Sequence, residues 1–181
     1  MPTYVAFLRA VNLGATRKFS KAAIIRACED AGFSDVETYI NSGNVRVTTP
    51  LRSVAKVEAA LEEAFAEGAG FAVPTVALTQ KELRDIAADA VALGEGHDGR
   101  HYVSLLKRTP TAAAVEKLHA AGAPAGPAVE RAVVRGRGAH LLLAQDYHTA
   151  KLSNALVEKH LGVATNRNLN VIRTLAEKWG S

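Results

Sequence analysis

The sequence has 181 residues, of which 48% are hydrophobic and 22% are charged, and its formal net charge is +4 at neutral pH. This apolar fraction excludes an intrinsically disordered chain. A single cysteine excludes an internal disulfide and a cysteine-based zinc cluster. No apolar run approaches the ~18 residues that a membrane span needs, and the first residues lack the pattern of a signal peptide. We therefore expect a cytoplasmic protein with no membrane partner.

Positive charge is concentrated in the second part of the sequence. Residues 101–181 carry 11 basic and 5 acidic side chains, whereas residues 1–100 carry 11 basic and 13 acidic ones. A basic half indicates an anionic partner, or else a modestly basic surface that only water solvates. Charge bears on partners and solubility and not on the fold.

The first half of the sequence predicts strands and helices in the order β-α-β-β-α-β. One helix follows a Ser20 cap and carries Cys28 on its apolar face, and a second covers residues 54–65. This order is that of the split βαβ, or ferredoxin-like, arrangement, in which two crossovers interleave in one antiparallel sheet. Apolar or alternating runs predict the strands at residues 4–8, 36–40, 45–48 and 73–78.

A similar order begins again after a glycine-rich stretch at residues 94–99, which we interpret as a linker. The predicted strand at residues 101–107 repeats the Tyr-Val pair of the first strand, with Tyr102-Val103 in the place of Tyr4-Val5. The repeated pair and the repeated element order indicate an internal duplication.

The second half continues with a helix that we expect to be capped by Thr109. A hairpin over residues 129–144 and a helix over residues 153–161 follow. An irregular segment, residues 164–170, then begins the last helix, which extends to Trp179.

These elements predict an α+β fold with two ferredoxin-like βαββα(β) units in tandem. The sheets are expected to be mostly antiparallel, with helices packed on one face. We expect the first unit at residues 1–79 and the second at residues 101–181. A helix and the glycine-rich linker would occupy residues 80–100.

A long loop, residues 9–18, follows the first strand. Most strand-to-helix connections have ~2–6 residues, and this one is longer and basic. Arg9 offers a fork of donors that suits a carboxylate or a phosphate, and Gly14 permits close approach of the backbone. The alternative is a surface loop whose cations are only solvated.

The turn at residues 41–44 has two interpretations. A two-residue hairpin turn explains its Ser-Gly pair without any ligand. In the functional interpretation, Asn44 is directed at the same ligand as Arg9.

Two polar segments of the second half lie at expected helix starts. In residues 146–154, Ser153 explains one polar group as a helix cap, and Lys151 could hold an anion beside that helix start. In residues 164–170, capping explains one side chain but not the whole run around Arg167. The complete set of expected ligand-binding residues is Arg9, Asn12, Gly14, Ser42, Asn44, Lys151, Thr165, Arg167 and Asn168.

No recognised catalytic motif occurs in the sequence. The phosphate loop and the dinucleotide-binding fingerprint are both missing. Neither the pair His97 and His101 nor His140 with Asp146 and His148 matches a strong metal motif. We therefore expect no metal and no cofactor, and we identify no nucleophile or acid–base pair.

Four short segments of the sequence form a specific set: YVAFLRAVNLG at residues 4–14, TYINSGNV at 38–45, KLSN at 151–154 and TNRNLN at 165–170. In this order they resemble a bacterial family known as domain of unknown function 1697. That resemblance implies a two-unit α+β fold and supplies no activity or substrate. The family usually has glycine where Ala10 and Ala15 stand and tryptophan where Leu169 stands, so a base-stacking role would lack an aromatic ring here.

Taken together, the sequence predicts that the protein binds an anionic small molecule, phosphorylated or nucleotide-like, at the junction of the two units. One alternative is a non-specific nucleic-acid-binding protein, although the hairpin strand at residues 45–47 carries no Phe or Tyr on which RNA bases could stack. Another is an enzyme whose catalytic residues are not recognisable. The simplest alternative is a basic interaction surface. The reaction, the ligand and the oligomeric state stay open.

Overall fold

The computed structural model describes residues 1–41, 43–122, 130–144 and 150–181. The chain divides into two compact units, Met1–Lys81 with Trp179–Ser181, and Glu82–Lys178. Each unit is α+β and contains one four-stranded antiparallel sheet, which confirms the predicted tandem of ferredoxin-like units. The boundaries at residues 79 and 101 stay a prediction. In these described ranges, no helix is long and apolar enough to cross a membrane.

The first unit has its strands in the order β2-β3-β1-β4, with β1 and β3 in the centre. Ser20 caps α1, as expected, because its Oγ accepts a hydrogen bond from the Ala23 N–H at 3.2 Å. Gly70 ends α2 in the left-handed conformation, with φ 76°. The elements are β1 (Thr3–Leu8), α1 (Lys21–Asp30), β2 (Ser34–Tyr39), β3 (Asn44–Thr48), α2 (Val54–Ala69) and β4 (Thr75–Thr79).

The second unit repeats this sheet with the order β6-β7-β5-β8. The helix expected to be capped by Thr109 begins later, since the Thr111 Oγ1 accepts from the Ala114 N–H at 3.2 Å. The remaining elements are α3 (Gln80–Gly94), β5 (Arg100–Leu106), α4 (Ala112–Gly122), β6 (Arg131–Arg135), β7 (Gly138–Leu143), α5 (Asn154–Leu161), β8 (Ala164–Asn168) and α6 (Leu169–Trp179).

The first core lies between the sheet of that unit and the helices α1 and α2. Phe65 of α2 meets Phe19 edge to face, with ring centroids 5.6 Å apart, an arrangement that adds to the burial of both rings. Cys28 is fully buried in this core. Its environment confirms the expectation that it packs as a small apolar residue.

The second core has the same plan, with α4 and α5 covering one face of the sheet through Leu118, Val157 and Leu161. In addition, α3 packs on the opposite face. A Cβ built on Gly138 of β7 would lie 3.2 Å from Cγ1 of Ile86 on α3. The sheet of the second unit is therefore covered on both faces.

The sequence predicts that residues 164–168 begin the last helix, and this prediction is wrong. They form the edge strand β8, which pairs with β5 from Leu106 opposite Ala164 to Tyr102 opposite Asn168. Pairing with a neighbouring strand outweighs the turn and cap preferences of Asn and Thr. The helix α6 begins only at Leu169.

Candidate functional site

The connection between β1 and α1, residues 9–20, has an unusual backbone. Ala10, Asn12, Gly14 and Arg17 all adopt positive φ angles, of 57°, 55°, 61° and 57°. Residues other than glycine avoid this region because the Cβ approaches the carbonyl oxygen, at a cost of about 1–2 kcal/mol each. Contacts within the protein must therefore hold the loop in place.

Asn12 provides most of those contacts. Its Nδ2 donates to the carbonyl oxygens of Phe19 at 3.0 Å and Asn41 at 2.9 Å. Its Oδ1 accepts from the Phe19 N–H at 2.9 Å, and its backbone N–H donates to the Arg17 oxygen at 2.9 Å. Both amide hydrogens are used inside the protein, so Asn12 shapes the loop and ties it to the turn after β2.

Arg17 supports the same loop from its other side. Its Nε donates to the Ala10 oxygen at 2.7 Å, and its Nη2 donates to the Ala72 oxygen at 2.9 Å. The guanidinium carbon lies 4.5 Å from the ring centroid of Phe71, which is within the range of a cation–π contact. This arginine is a structural cation of the loop.

The turn between β2 and β3 packs tightly under the loop. Gly43 has φ 74°, and a Cβ there would lie 2.8 Å from side-chain atoms of both Leu8 and Val11. Asn44 is buried, and its Nδ2 donates to the Tyr39 oxygen at 3.1 Å, closing the hairpin. Ser42, a predicted ligand residue, lies outside the described residues.

A pocket of about 630 Å³ opens beside this loop at the start of α1. Lys18 and Lys21 are both exposed there, and neither is paired with a carboxylate in the part of the chain that the structure describes. The first turn of a helix carries a partial positive charge. We call this feature the basic pocket; its lining residues, none of them acidic, are Asn12, Gly14, Lys18, Ser20, Lys21, Ala22 and Asn41.

A groove of similar size, about 620 Å³, lies between α1 and α2. Seven of its lining residues are alanine or glycine, and its charged ones are Arg26 with Asp30, Glu63 and Glu67. Three carboxylates against one guanidinium disfavour an anion there. Of the two, the basic pocket is the better candidate for an anion site.

The ligand-binding residues that the sequence predicts on β8 differ in burial. Thr165 and Arg167 are buried on β8, where the Arg167 Nη1 donates to the Thr165 Oγ1 at 3.0 Å and to the Asn166 oxygen at 2.7 Å. Asn168 is exposed and caps α6, since its Oδ1 accepts from the Val171 N–H at 2.9 Å.

The three predicted cations Arg167, Lys151 and Arg9 differ in their burial. Burial lowers the pKa of Arg167 to about 10, so its guanidinium stays charged at neutral pH. Lys151 is exposed two residues before Ser153, which caps α5 by accepting from the Leu156 N–H at 3.2 Å. Arg9, in the first unit, is half-buried, and its backbone N–H donates to the Pro74 oxygen at 2.9 Å.

Two buried histidines in the second unit were not selected from the sequence. His101 on β5 and His140 on β7 approach each other with Nε2 of the first 3.4 Å from Nδ1 of the second. Burial, and then the mutual effect of the two rings, lowers the pKa of His140 to about 4. The sequence did indicate that His101 is buried, because His101 alternates with Val103 and Leu105 along one strand and shares their face.

Other chemistry-bearing residues are less promising. Across residues 1–41, 43–122, 130–144 and 150–181, no three His, Cys, Asp or Glu side chains are grouped so that they could hold a metal ion. The metal candidates Asp146 and His148 lie outside those ranges. Burial, with a smaller effect of Glu29, raises the pKa of the Cys28 thiol to about 12, which leaves it protonated and unreactive.

Arg137 lies in the turn between β6 and β7. It is nevertheless buried, and its Nε donates to the Leu106 oxygen at 2.8 Å. Its Nη1 lies 3.3 Å from the Glu82 carboxylate. This side chain is a structural anchor that no local sequence signal distinguishes from an exposed turn arginine.

Both the sequence and the structure of this chain are similar to those of known proteins. The profile of a family described as "Protein of unknown function (DUF1697)" matches residues 1–137. Over 100% of this chain and 99% of the other, the structure is similar to that of a conserved bacterial protein, SP0830 from Streptococcus pneumoniae, with a TM-score of 0.75 and 20% identity. A comparison with curated proteins finds no match. The structural likeness supports the fold alone.

Proposed function

Since the chain belongs to the DUF1697 family, whose description carries no activity, we propose from its geometry that it binds a phosphorylated or nucleotide-like small molecule in the basic pocket. One observation carries this proposal. Lys18 and Lys21 line a pocket that no acidic residue lines, beside the first turn of α1. An anion there would gain from both ammonium groups and from the partial charge of the helix.

The backbone of the loop supports the same proposal. The left-handed conformations of Ala10 and Arg17 destabilise the loop. Backbone strain of this kind is concentrated at functional sites. Asn12 and Arg17 use their side chains to hold this shape, so the ligand would meet a preformed surface. Preorganisation reduces the entropic cost of binding.

The remaining predicted residues are part of the proposal as separate hypotheses. Arg9, Lys151 and Arg167 each carry a charge that could contact a phosphate. For a phosphate bound by the second unit alone, Arg167→Ala should weaken binding, whereas Lys117→Ala on the exposed face of α4 should not. Equal weakening by both substitutions would favour a diffuse electrostatic surface over a pocket.

Nucleic acid binding is the second hypothesis and has less support. Ferredoxin-like RNA-binding domains stack bases on exposed aromatic residues of the sheet. Here Phe7 of β1 is fully buried, and Tyr102 of β5 packs against the second core. A nucleic acid partner would also show an affinity that falls steeply with salt, by about one unit of log–log slope for each phosphate contact.

The test is a thermal-shift series with nucleotides, sugar phosphates and inorganic phosphate. Binding to the native state alone should stabilise it by about 2.7 kcal/mol at a hundredfold excess over Kd. The Lys18→Ala, Lys21→Ala double variant should lose this shift. Lys56→Ala, which removes an exposed lysine from α2 of the same unit, should keep it. A flat response of the wild-type protein across the panel at millimolar concentrations contradicts the proposal.

A further inference from the structure

Two exposed aliphatic residues stand next in the chain to residues that line the basic pocket. Leu13 is 59% exposed and lies between the lining residues Asn12 and Gly14. Ile40 is 40% exposed and precedes the lining residue Asn41. The Asn12 side chain donates to the Asn41 oxygen at 2.9 Å, so the two segments meet at the pocket. We call Leu13 and Ile40 the aliphatic pair.

The topology does not require apolar residues at these places. Two residues before Leu13, the side chain of Val11 is buried and packs beside Gly43, so the loop already has its apolar anchor. In the second unit, the equivalent connections are residues 107–111 and 136–137. Neither contains a large aliphatic or aromatic residue. The exposed aliphatic pair is therefore a particular feature of the first unit.

The backbone of Ile40 gives a second reason to look for a role beyond folding. Its φ angle is 49°, and this left-handed conformation is an outlier for a β-branched residue. Glycine or asparagine would fit the same backbone with less strain. Folding alone thus disfavours isoleucine here, and strained residues of this kind are concentrated at ligand sites.

The basic pocket is also larger than a phosphate group requires. Its volume of about 630 Å³ lies in the range of about 300–1,000 Å³ that is typical of sites for whole small molecules. The residues that line it are polar or as small as Gly14 and Ala22. An apolar part of a ligand would therefore gain most of its contact area from the aliphatic pair beside the pocket.

We propose that the ligand of the basic pocket is a nucleoside phosphate whose base packs against the aliphatic pair, an inference that rests on the proposed function of this pocket. The phosphate would lie at Lys18 and Lys21. A nucleobase is flat and has two largely apolar faces, so its contact with Leu13 and Ile40 removes apolar surface from water. A sugar phosphate carries hydroxyl groups around its ring and gains less from the same contact.

Calorimetric titration with adenosine monophosphate and with ribose 5-phosphate tests this preference directly. The two ligands carry the same phosphate group on the same sugar, and they differ in the base. Adenosine monophosphate should bind about tenfold more tightly. Equal affinities would overturn this inference and leave the proposed function standing, whereas no binding of either ligand would overturn both. Hexyl phosphate that binds as tightly as adenosine monophosphate would contradict recognition of a base.

Two variants test the aliphatic pair against a matched control. Leu13→Ser should weaken binding of adenosine monophosphate about fivefold and leave that of ribose 5-phosphate unchanged. Val91→Ser, which removes an aliphatic side chain that is 54% exposed on α3, should change neither affinity.

Ile40→Asn should also weaken binding of adenosine monophosphate about fivefold. It should at the same time raise the melting temperature by about 2 °C, because asparagine tolerates a positive φ angle. A lower affinity in a more stable protein does not arise from partial unfolding. Unchanged affinity for adenosine monophosphate in both Leu13→Ser and Ile40→Asn would overturn the proposal.

Discussion

The two units share one strand order but differ in the connection that follows their first strand. In the second unit, β5 reaches α4 through residues 107–111, none of which has a positive φ angle. In the first unit, residues 9–20 make the same connection with four positive φ angles. Because the short connection is sufficient for the crossover, the extra residues of the first unit are not required by the fold. They form one side of the basic pocket, which is why we propose ligand binding there.

The central strands show a second difference. Val5 of β1 and Val103 of β5 occupy equivalent positions in the two sheets. Beside Val5, the edge strand β4 carries the buried Leu78, whereas β8 carries the buried Arg167 beside Val103. On the other side, Arg46 of β3 lies beside Val5, and His140 of β7 lies beside Val103. The same topology thus places one half-buried arginine beside the central valine of the first sheet and two buried polar residues, His140 and Arg167, beside that of the second.

The largest effect is expected at the turns between the second and third strands of each unit. Gly43→Ala should destabilise the protein by about 2–5 kcal/mol, because a left-handed alanine is strained and its Cβ would overlap Leu8 and Val11. Gly136→Ala in the equivalent turn should cost only about 1–2 kcal/mol, since nothing lies within 4 Å of its Cβ position. Urea denaturation measures both. Equal losses of stability in the two variants would mean that Leu8 and Val11 do not pack tightly against Gly43.

The next effect concerns acid stability and belongs to the second unit alone. The pKa of His140 is about 4 in the folded protein against an ordinary value of 6.5. Between these values the unfolded chain binds more protons, so stability is complete above pH 6.5 and falls as the pH drops towards 4, by about 3 kcal/mol. His140→Gln should flatten this part of the stability profile, and His119→Gln, on the exposed face of α4, should not. A wild-type profile that is flat between pH 6.5 and 4 would contradict this assignment.

The smallest effect tests the strain in the long loop. Ala10 has φ 57° and stands where the family resemblance implies glycine, so Ala10→Gly should stabilise the protein by about 1 kcal/mol. Ala15 also stands where glycine is implied, but its φ angle is not positive. Ala15→Gly should therefore be neutral or slightly destabilising. Thermal unfolding distinguishes the two, and a loss of stability in Ala10→Gly would argue against a strained loop.

Much of the fold was predictable from the spacing of apolar residues and from the residues that begin or end helices and turns. Apolar strands such as β1 and β4 and the Ser20 cap are local signals, and the structure has them where the sequence placed them. The edge strand β8 was missed because its sequence, ATNRN, carries no apolar alternation. Only its pairing with β5 makes it a strand, and such pairing depends on residues about 60 positions away in the chain.

The candidate site was harder to predict for a related reason. The sequence predicts Asn12 as a ligand residue; in the structure its side chain bonds Phe19 and Asn41 and also lines the basic pocket. Lys18 and Lys21 were not selected, since an exposed lysine in a loop looks the same in sequence whether or not a pocket lies beside it. Pockets arise from distant segments, so they follow the fold and not the local pattern.

Backbone NMR of the protein during titration with adenosine diphosphate and with glucose phosphate tests the central claim most directly. We predict that the amide signals that move belong to Asn41 and to residues 12–22, the segment that contains the other residues lining the basic pocket. The Lys18→Ala, Lys21→Ala variant should lose these changes. Shifts scattered over the basic residues of the second unit, or no shifts at millimolar ligand, would contradict it.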